Sequence, residues 1–212
     1  MIGKYSDRAF RVLESSQNND KLEAIGTMVQ KNLTLTALKQ HLKSASKEDL
    51  INDIAELYKK ITGVKDFYQL KLSSPDETQV ISKYKQTIEN QFFPKRGYGK
   101  AKLSVAKKAI SDYKKVSVSP IGMIDLMLFY VEQGVKFTNA YGDINEGFYN
   151  SIEGMYEKSI ELILKYDQEP IFEDRCEKIA DDGSGIGWGF SDALLDMFNA
   201  GFRADDDDEE ED

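Results

Sequence analysis

Few residues of this chain could support metal binding or nucleophilic catalysis. The 212 residues include one histidine, His41, and one cysteine, Cys176. A structural zinc site usually takes four cysteine or histidine ligands, so the composition argues against zinc. Cys176 lies in a predicted amphipathic helix without a catalytic signature around it, and buried thiols of this kind are usually inert. We therefore expect Cys176 to pack in the core.

Carboxylates at helical spacing are the remaining candidates for catalysis, because such side chains can bind magnesium or act as general acid and base. They form three groups: Asp49, Asp53 and Glu56; Asp181 and Asp182; Asp192 and Asp196. In a chain with 31% charged residues, the same spacings also arise on solvated helix faces. We expect no metal and no cofactor, and a metal-dependent enzyme is the least favoured functional hypothesis.

A glycine-rich stretch, GSGIGWGF at residues 183–190, superficially resembles a phosphate-binding loop. It matches neither GxxxxGK[ST] nor a GxGxxG placed directly after a strand, and Asp181 and Asp182 would repel a phosphate. The competing interpretation is a tight connection with left-handed glycines, which packs Trp188 and Phe190 into the core before a helix capped by Ser191. We favour that interpretation.

The clearest positive signal is a basic segment at residues 95–115, which has eight Lys or Arg side chains and a single carboxylate, Asp112. The candidate binding residues are Lys95, Arg96, Tyr98, Lys100, Lys102, Lys107, Lys108, Lys114 and Lys115. Cations of this kind can neutralise phosphates, and Tyr98 or Phe93 could stack on a base. The lysines of the predicted basic helix could equally form the solvent-exposed face of an amphipathic helix. The segment therefore predicts a surface for a protein partner or, as the alternative, for nucleic acid or another polyanion.

The net charge of −9 is unevenly distributed. Residues 205–212, DDDDEEED, carry eight of the negative charges, so the rest of the chain is almost neutral. A run of adjacent acidic groups repels itself and buries nothing, which predicts a disordered acidic tail that could solubilise the protein or screen its basic segment. The chain opens without a charged-then-apolar leader and lacks an apolar stretch of membrane-spanning length, so we expect a cytoplasmic protein without a membrane segment.

Apolar residues at helical spacing, together with the absence of strand signals, predict an all-α fold, either a single compact multi-helix bundle or an irregular α-solenoid. The most apolar helix follows the cap Ser119-Pro120 and is expected to be central. The predicted helices cover two segments within residues 34–62 joined at residues 44–46, then residues 80–92, a basic helix before residue 115, and residues 121–137, 148–164, 172–179 and 191–199.

Three regions are predicted along the chain. Residues 1–33 form an N-terminal helical extension, residues 34–202 the main helical domain, and residues 203–212 the disordered acidic tail. Pro75 is expected at the entry of the helix that Pro94 ends.

Four stretches carry a resemblance to a known family: LKQHLKSASKEDLINDIAELYKKI at 38–61, FFPKRGYGKAKLSVAKKAISDYKK at 92–115, DLMLFYVEQG at 125–134 and GWGFSDALLDMF at 187–198. Together they resemble a bacterial family catalogued as a domain of unknown function, over roughly residues 35–200. The resemblance implies a helical, cytoplasmic protein of accessory role, and it brings no catalytic residues.

These observations favour a non-catalytic binding or accessory protein that acts through a protein partner. The alternative is a nucleic-acid or polyanion-binding protein that uses residues 95–115, with the acidic tail modulating access.

Overall fold

The computed structural model describes residues 33–72, 78–117 and 119–203, and these residues form nine α-helices and no strand. The fold is therefore all-α, as predicted. The helices are α1 (Leu35–Ser44), α2 (Lys47–Lys60), α3 (Thr62–Leu72), α4 (Thr78–Phe92), α5 (Leu103–Lys114), α6 (Pro120–Tyr141), α7 (Glu146–Lys165), α8 (Glu169–Asp182) and α9 (Phe190–Phe202).

The described residues divide into two compact units, with the boundary between Ile54 and Ala55. The described part of the first unit holds α1 and the start of α2. The Thr34 hydroxyl caps α1 by accepting a hydrogen bond from the backbone N–H of Ala37 at 3.2 Å. Ser46 does the same for α2, since its Oγ accepts from the N–H of Asp49 at 3.1 Å. No residue of α1 is buried, and large apolar side chains such as Leu35 and Ile51 remain exposed.

Helix α6 is the centre of the second unit, and it packs against α4, α5, α7 and α8. The hydroxyl of Ser119 accepts from the backbone N–H of Ile121 at 3.2 Å, and Pro120 occupies the first turn, where its missing N–H costs nothing. Twelve of the 22 residues of α6 are buried, which explains why its sequence is apolar on almost every side. The predicted central position is confirmed.

A glycine sets the close approach of α6 to α7. A Cβ atom added at Gly134 would lie 2.4 Å from Cδ1 of Ile152, a residue that is fully buried on α7. Because only glycine leaves room at this point, the side chain of Ile152 can pack directly against the backbone of α6.

An ion-pair network joins α6 to α4 and α8. The guanidinium of Arg175 donates to Glu132 and to Asp125, both at 2.6 Å, and Lys85 pairs with Asp125 at 2.8 Å. Burial by itself lowers the pKa of Arg175, but the hydrogen bonds and charges of Glu132 and Asp125 outweigh it and raise the pKa. All these side chains are about three-quarters buried, so the network is shielded from solvent more than a surface pair.

The helix pattern was largely predictable, with three differences. The prediction missed α3. The Gly-rich connection does contain left-handed Gly185 and Gly189 and does bury Phe190, but it leaves Trp188 68% exposed, so packing of Trp188 in the core is wrong. Helix α9 begins after Gly189 without a side-chain cap, which corrects the expected Ser191 cap.

Several predictions fall on residues that the structure does not describe. These are the N-terminal helical extension up to residue 32, the role of Pro75 at a helix entry, and the disordered tail from residue 204 onward. The predicted domain boundaries stay predictions. None of the described helices combines the length and apolarity that crossing a membrane requires.

Candidate binding groove

The first part of the predicted basic segment is the loop between α4 and α5. Its cationic side chains Lys95, Arg96, Lys100 and Lys102 are exposed, and Tyr98 is 84% exposed. The loop folds back on α4, where the backbone N–H groups of residues 100 and 101 both donate to the carbonyl of Gln91. A Cβ at Gly99 would lie only 1.6 Å from the carbonyl oxygen of Phe92, so this return requires glycine.

The three lysines of α5 and Lys115, which caps its C-terminus, lie on two different sides of the helix. Lys108 and Lys115 both donate to the carboxylate of Asp112, the latter at 2.8 Å. Hydrogen bonds from Lys108 and then Lys115 hold the pKa of Asp112 below its usual value. Asp112 thus offsets part of the charge on that side, and the two lysines stay largely in solvent.

The other two α5 lysines, Lys107 and Lys114, line an open groove of about 850 Å³. The opposite wall is α7, which contributes Lys158 and Lys165. Helices α5 and α7 both pack against α6, and the groove lies over the beginning of α6 between them. We call this feature, with its lysines and the floor described next, the lysine-rimmed groove.

The floor of the lysine-rimmed groove is apolar and rich in methionine. Met123 and Met127 of α6 and Met155 and Leu162 of α7 line it. Met127 is buried, and the other three are partly exposed. Methionine is flexible and polarizable, so it adapts to partners of different shapes and is common at binding surfaces that accept them.

The charge of this groove is strongly positive. Among its lining residues, Glu161 is the one carboxylate beside four lysines. Within the described parts of the chain, no carboxylate lies within ion-pair distance of Lys107, Lys114, Lys158 or Lys165. The first turn of α6 adds the partial positive charge of a helix N-terminus. The groove therefore favours an anionic partner.

A second, smaller groove of about 690 Å³ lies beside α3, against Phe67, Tyr68 and Tyr84. Burial first, and then the neighbouring Asp66, raises the pKa of Tyr84 to about 12. The buried Asp66 carboxylate accepts from the Tyr84 hydroxyl at 3.1 Å and from Lys83 at 2.9 Å. These groups already satisfy one another, which indicates a structural role.

The residues considered for catalysis are not brought together. Cys176 is fully buried, and burial raises the pKa of its thiol to about 12. The three carboxylate groups all lie on exposed surface. Over residues 33–72, 78–117 and 119–203, no three His, Cys, Asp or Glu side chains are grouped so as to hold a metal ion.

Half of the groove residues were not predicted from the sequence. Lys107 and Lys114 were candidates, but Lys158, Lys165 and the methionine floor were not. One signal was present, since Lys158 and Lys165 have the same seven-residue spacing as Lys107 and Lys114. The sequence does not show that α5 and α7 flank the same end of α6.

The fold and the groove define an all-helical protein with an open, cationic, methionine-floored cleft. The chain belongs to a family of unknown function, DUF6155, whose profile matches residues 33–199. The resemblance to an uncharacterised family is thereby confirmed over nearly the expected range. The groove lies within the matched residues, and the acidic tail lies outside them. No curated protein and no solved structure matches the chain significantly.

Proposed function

We propose that this chain is a non-catalytic binding protein that holds a protein partner in the lysine-rimmed groove. The observation that carries the proposal is the combination of an apolar methionine floor with two lysine rims. Protein interfaces typically have an apolar centre that loses its water and a polar rim that stays accessible. The groove has both an apolar centre and a polar rim in the absence of a partner.

The apolar floor favours a polypeptide over a nucleic acid. A phosphate backbone is bound by cationic and hydrogen-bonding groups, and it offers nothing that would bury Met123 or Leu162. An apolar side chain of a partner would displace water from these residues, at roughly 25 cal/mol for each Å² of apolar surface removed from water. Following the family resemblance and the lack of disulfides, we place this function in the bacterial cytoplasm.

A polyanion-binding function is the second candidate, and one observation favours it. Tyr98 is 84% exposed in a loop that also presents Lys95, Arg96, Lys100 and Lys102. An aromatic ring among cations is the arrangement that stacks bases of single-stranded nucleic acid. In this alternative the acidic tail, residues 205–212, would compete with phosphates for the same cations and so modulate access.

In-cell photocrosslinking tests the proposal. A benzophenone amino acid replaces Met155 on the groove floor or, as the control, the exposed Ser184 in the loop before α9. We expect adducts at position 155 that protease removes and nuclease does not, and we expect them to be lost when the four groove lysines become glutamine. A matched variant neutralises four exposed lysines elsewhere, Lys43, Lys47, Lys59 and Lys136, and should keep the adducts.

Two outcomes would contradict the proposal. Nuclease-sensitive adducts at the floor would support the polyanion alternative. Equal crosslinking at positions 155 and 184, insensitive to the groove lysines, would show that the groove is not a binding surface.

A further inference from the structure

We infer that the segment bound in the lysine-rimmed groove is an acidic amphipathic α-helix of the partner. This inference rests on the proposed function and specifies the chemistry of the partner. It follows from the spacing of the lysines, the shape of the apolar floor and the kind of backbone that this surface can accept.

The lysines on each wall are spaced to meet a helix. Lys107 and Lys114 are seven residues apart on α5, and Lys158 and Lys165 are seven residues apart on α7. At about 1.5 Å of rise per residue, each pair spans about 10.5 Å, or two helical turns. A partner helix with carboxylates seven residues apart on each flank would present the same repeat, so both rows could be paired at once.

The floor supplies the contact for the apolar face of that helix. Met123 and Met127 lie four residues apart on α6, and Met155 and Leu162 lie seven apart on α7. These spacings place each pair on one side of its helix. A helix bound in a groove typically inserts apolar anchors at positions i, i+3 or i+4, and i+7. The adaptable methionine side chains can close around such anchors.

The backbone of the bound segment is better satisfied as a helix than as an extended peptide. A peptide bound as a strand needs an exposed strand edge to pair its backbone N–H and C=O groups. The described residues contain no strand, so the groove offers no such edge. A helix satisfies its own backbone hydrogen bonds and needs only side-chain contacts from its host.

Charge excludes the opposite kind of amphipathic helix. A basic helix would bring its lysines against four lysines of the groove, with only Glu161 to offset them. Like charges brought together across an interface weaken binding and suppress wrong partners. The groove is thus selective for an acidic helix.

A synthetic probe tests the inference with the full-length protein. The probe is a fluorescein-labelled 16-residue peptide with leucines at positions i, i+4, i+7 and i+11 and glutamates flanking them. Two matched peptides serve as controls, one with the same residues scrambled and one with lysine in place of every glutamate. Fluorescence anisotropy measures affinity in about 50 mM salt, and circular dichroism measures the helix content of the peptide.

We expect the acidic peptide to bind and become helical, and to bind at least tenfold more tightly than either control peptide. Changing Lys107, Lys114, Lys158 and Lys165 to glutamine should weaken binding at least tenfold. Lys108→Gln, a charge loss on the outer side of α5, should change it less than twofold. Because all these lysines are exposed, the variants should keep the thermal unfolding midpoint of the parent protein.

Several results would overturn the inference. Equal affinity for the acidic and scrambled peptides, tighter binding of the basic peptide, or no effect of the four substitutions would each do so. If the acidic peptide fails while Met155 still crosslinks to a polypeptide in cells, the proposed function survives and the acidic helix is wrong. If crosslinking also fails, the proposed function itself is wrong.

Discussion

Cys176 illustrates how the surroundings of a residue decide its chemistry. Its side chain is fully buried in α8, next to the ion-paired Arg175. Burial, the largest influence, raises the pKa of the thiol to about 12, while the charge of Arg175 opposes the rise. The thiolate is the nucleophilic form, so a thiol that stays protonated is inert.

The native thiol should therefore resist modification at pH 8. With a pKa of about 12, only about one thiol in ten thousand is ionised at that pH, and the side chain is fully buried. We expect a disulfide reagent to label Cys176 only after unfolding in guanidinium. Ser184→Cys, which adds an exposed thiol, should label at once. Labelling of the native parent at the rate of the unfolded chain would contradict this.

The same pKa shift has a consequence for stability. The pKa of the thiol is raised in the folded state, so its favourable contribution is complete below the unfolded pKa, near 9. The contribution is lost as pH rises from about 9 to about 12. This loss favours unfolding at alkaline pH and leaves stability at neutral pH unchanged.

At the scale of the helices, the contact of α6 with α7 depends on a missing side chain. Gly134 and Ile152 leave no room for an added methyl group, whereas Gly154 on α7 has open space where a Cβ would lie. The two glycines thus allow a matched comparison. Packing requires Gly134, whereas Gly154 has no packing role and lowers the stability of its helix.

Gly134→Ala should destabilise the protein by about 1–3 kcal/mol, because overpacking forces the helices apart. Gly154→Ala should instead stabilise it by about 0.5–1 kcal/mol, since alanine loses less backbone entropy in a helix. Denaturant unfolding measures both. Shortening the opposing side chain, in Gly134→Ala with Ile152→Val, should recover part of the loss. A parent-like Gly134→Ala variant would show that the helices are not in close contact.

Helices could be predicted where apolar spacing and caps agree. Ala106, Ala109, Ile110 and Tyr113 point inward on α5 as expected, and all four are buried. Helix α3 was missed because its sequence has no strong cap or proline at its start. Trp188 was misplaced because hydrophobicity alone suggested burial, whereas Trp188 has a left-handed backbone, with φ of 65°, and is largely exposed.

The site was less predictable than the fold for a physical reason. Charge clustering along the sequence identifies Lys107 and Lys114 together with Lys108 and Lys115. Helical spacing also places Asp112 beside the second two, as i,i+4 and i,i+3 pairs. The sequence cannot tell that Lys158 and Lys165 complete the first two, because that depends on how α5 and α7 pack against α6.

At the scale of the whole molecule, the charge distribution predicts that the acidic tail competes with an acidic partner for the groove. Residues 205–212 carry eight negative charges, and the lysine-rimmed groove has four lysines without a described ion pair. Helix α9, after which the tail follows, packs against α7, one wall of the groove. Nine residues follow Arg203, and in extended form they could span roughly 30 Å.

Removing residues 205–212 should strengthen binding of the acidic probe peptide about 3- to 10-fold at 20 mM salt. The tail offers charge without apolar anchors, so it competes for the lysines and not for the methionine floor. Above about 0.5 M salt, where the screening length is only a few ångströms, the difference should vanish. Anisotropy titrations at both salt concentrations measure this.

A tail of equal length with every acid changed to Asn or Gln controls for chain bulk and should behave like the deletion. If the deletion binds no better than the parent at low salt, or if the neutral tail still competes, electrostatic competition is excluded.

The methionine floor also makes the lysine-rimmed groove sensitive to oxidation. Met123 and Met155 are partly exposed, whereas Met127 is buried. Peroxide converts accessible methionine to its sulfoxide, a polar group in place of an apolar thioether. Oxidation would therefore weaken the apolar contact between the floor and the partner's apolar side chains, and it would leave the lysines unchanged. A protein damaged in this way would still attract acidic segments but hold them only briefly.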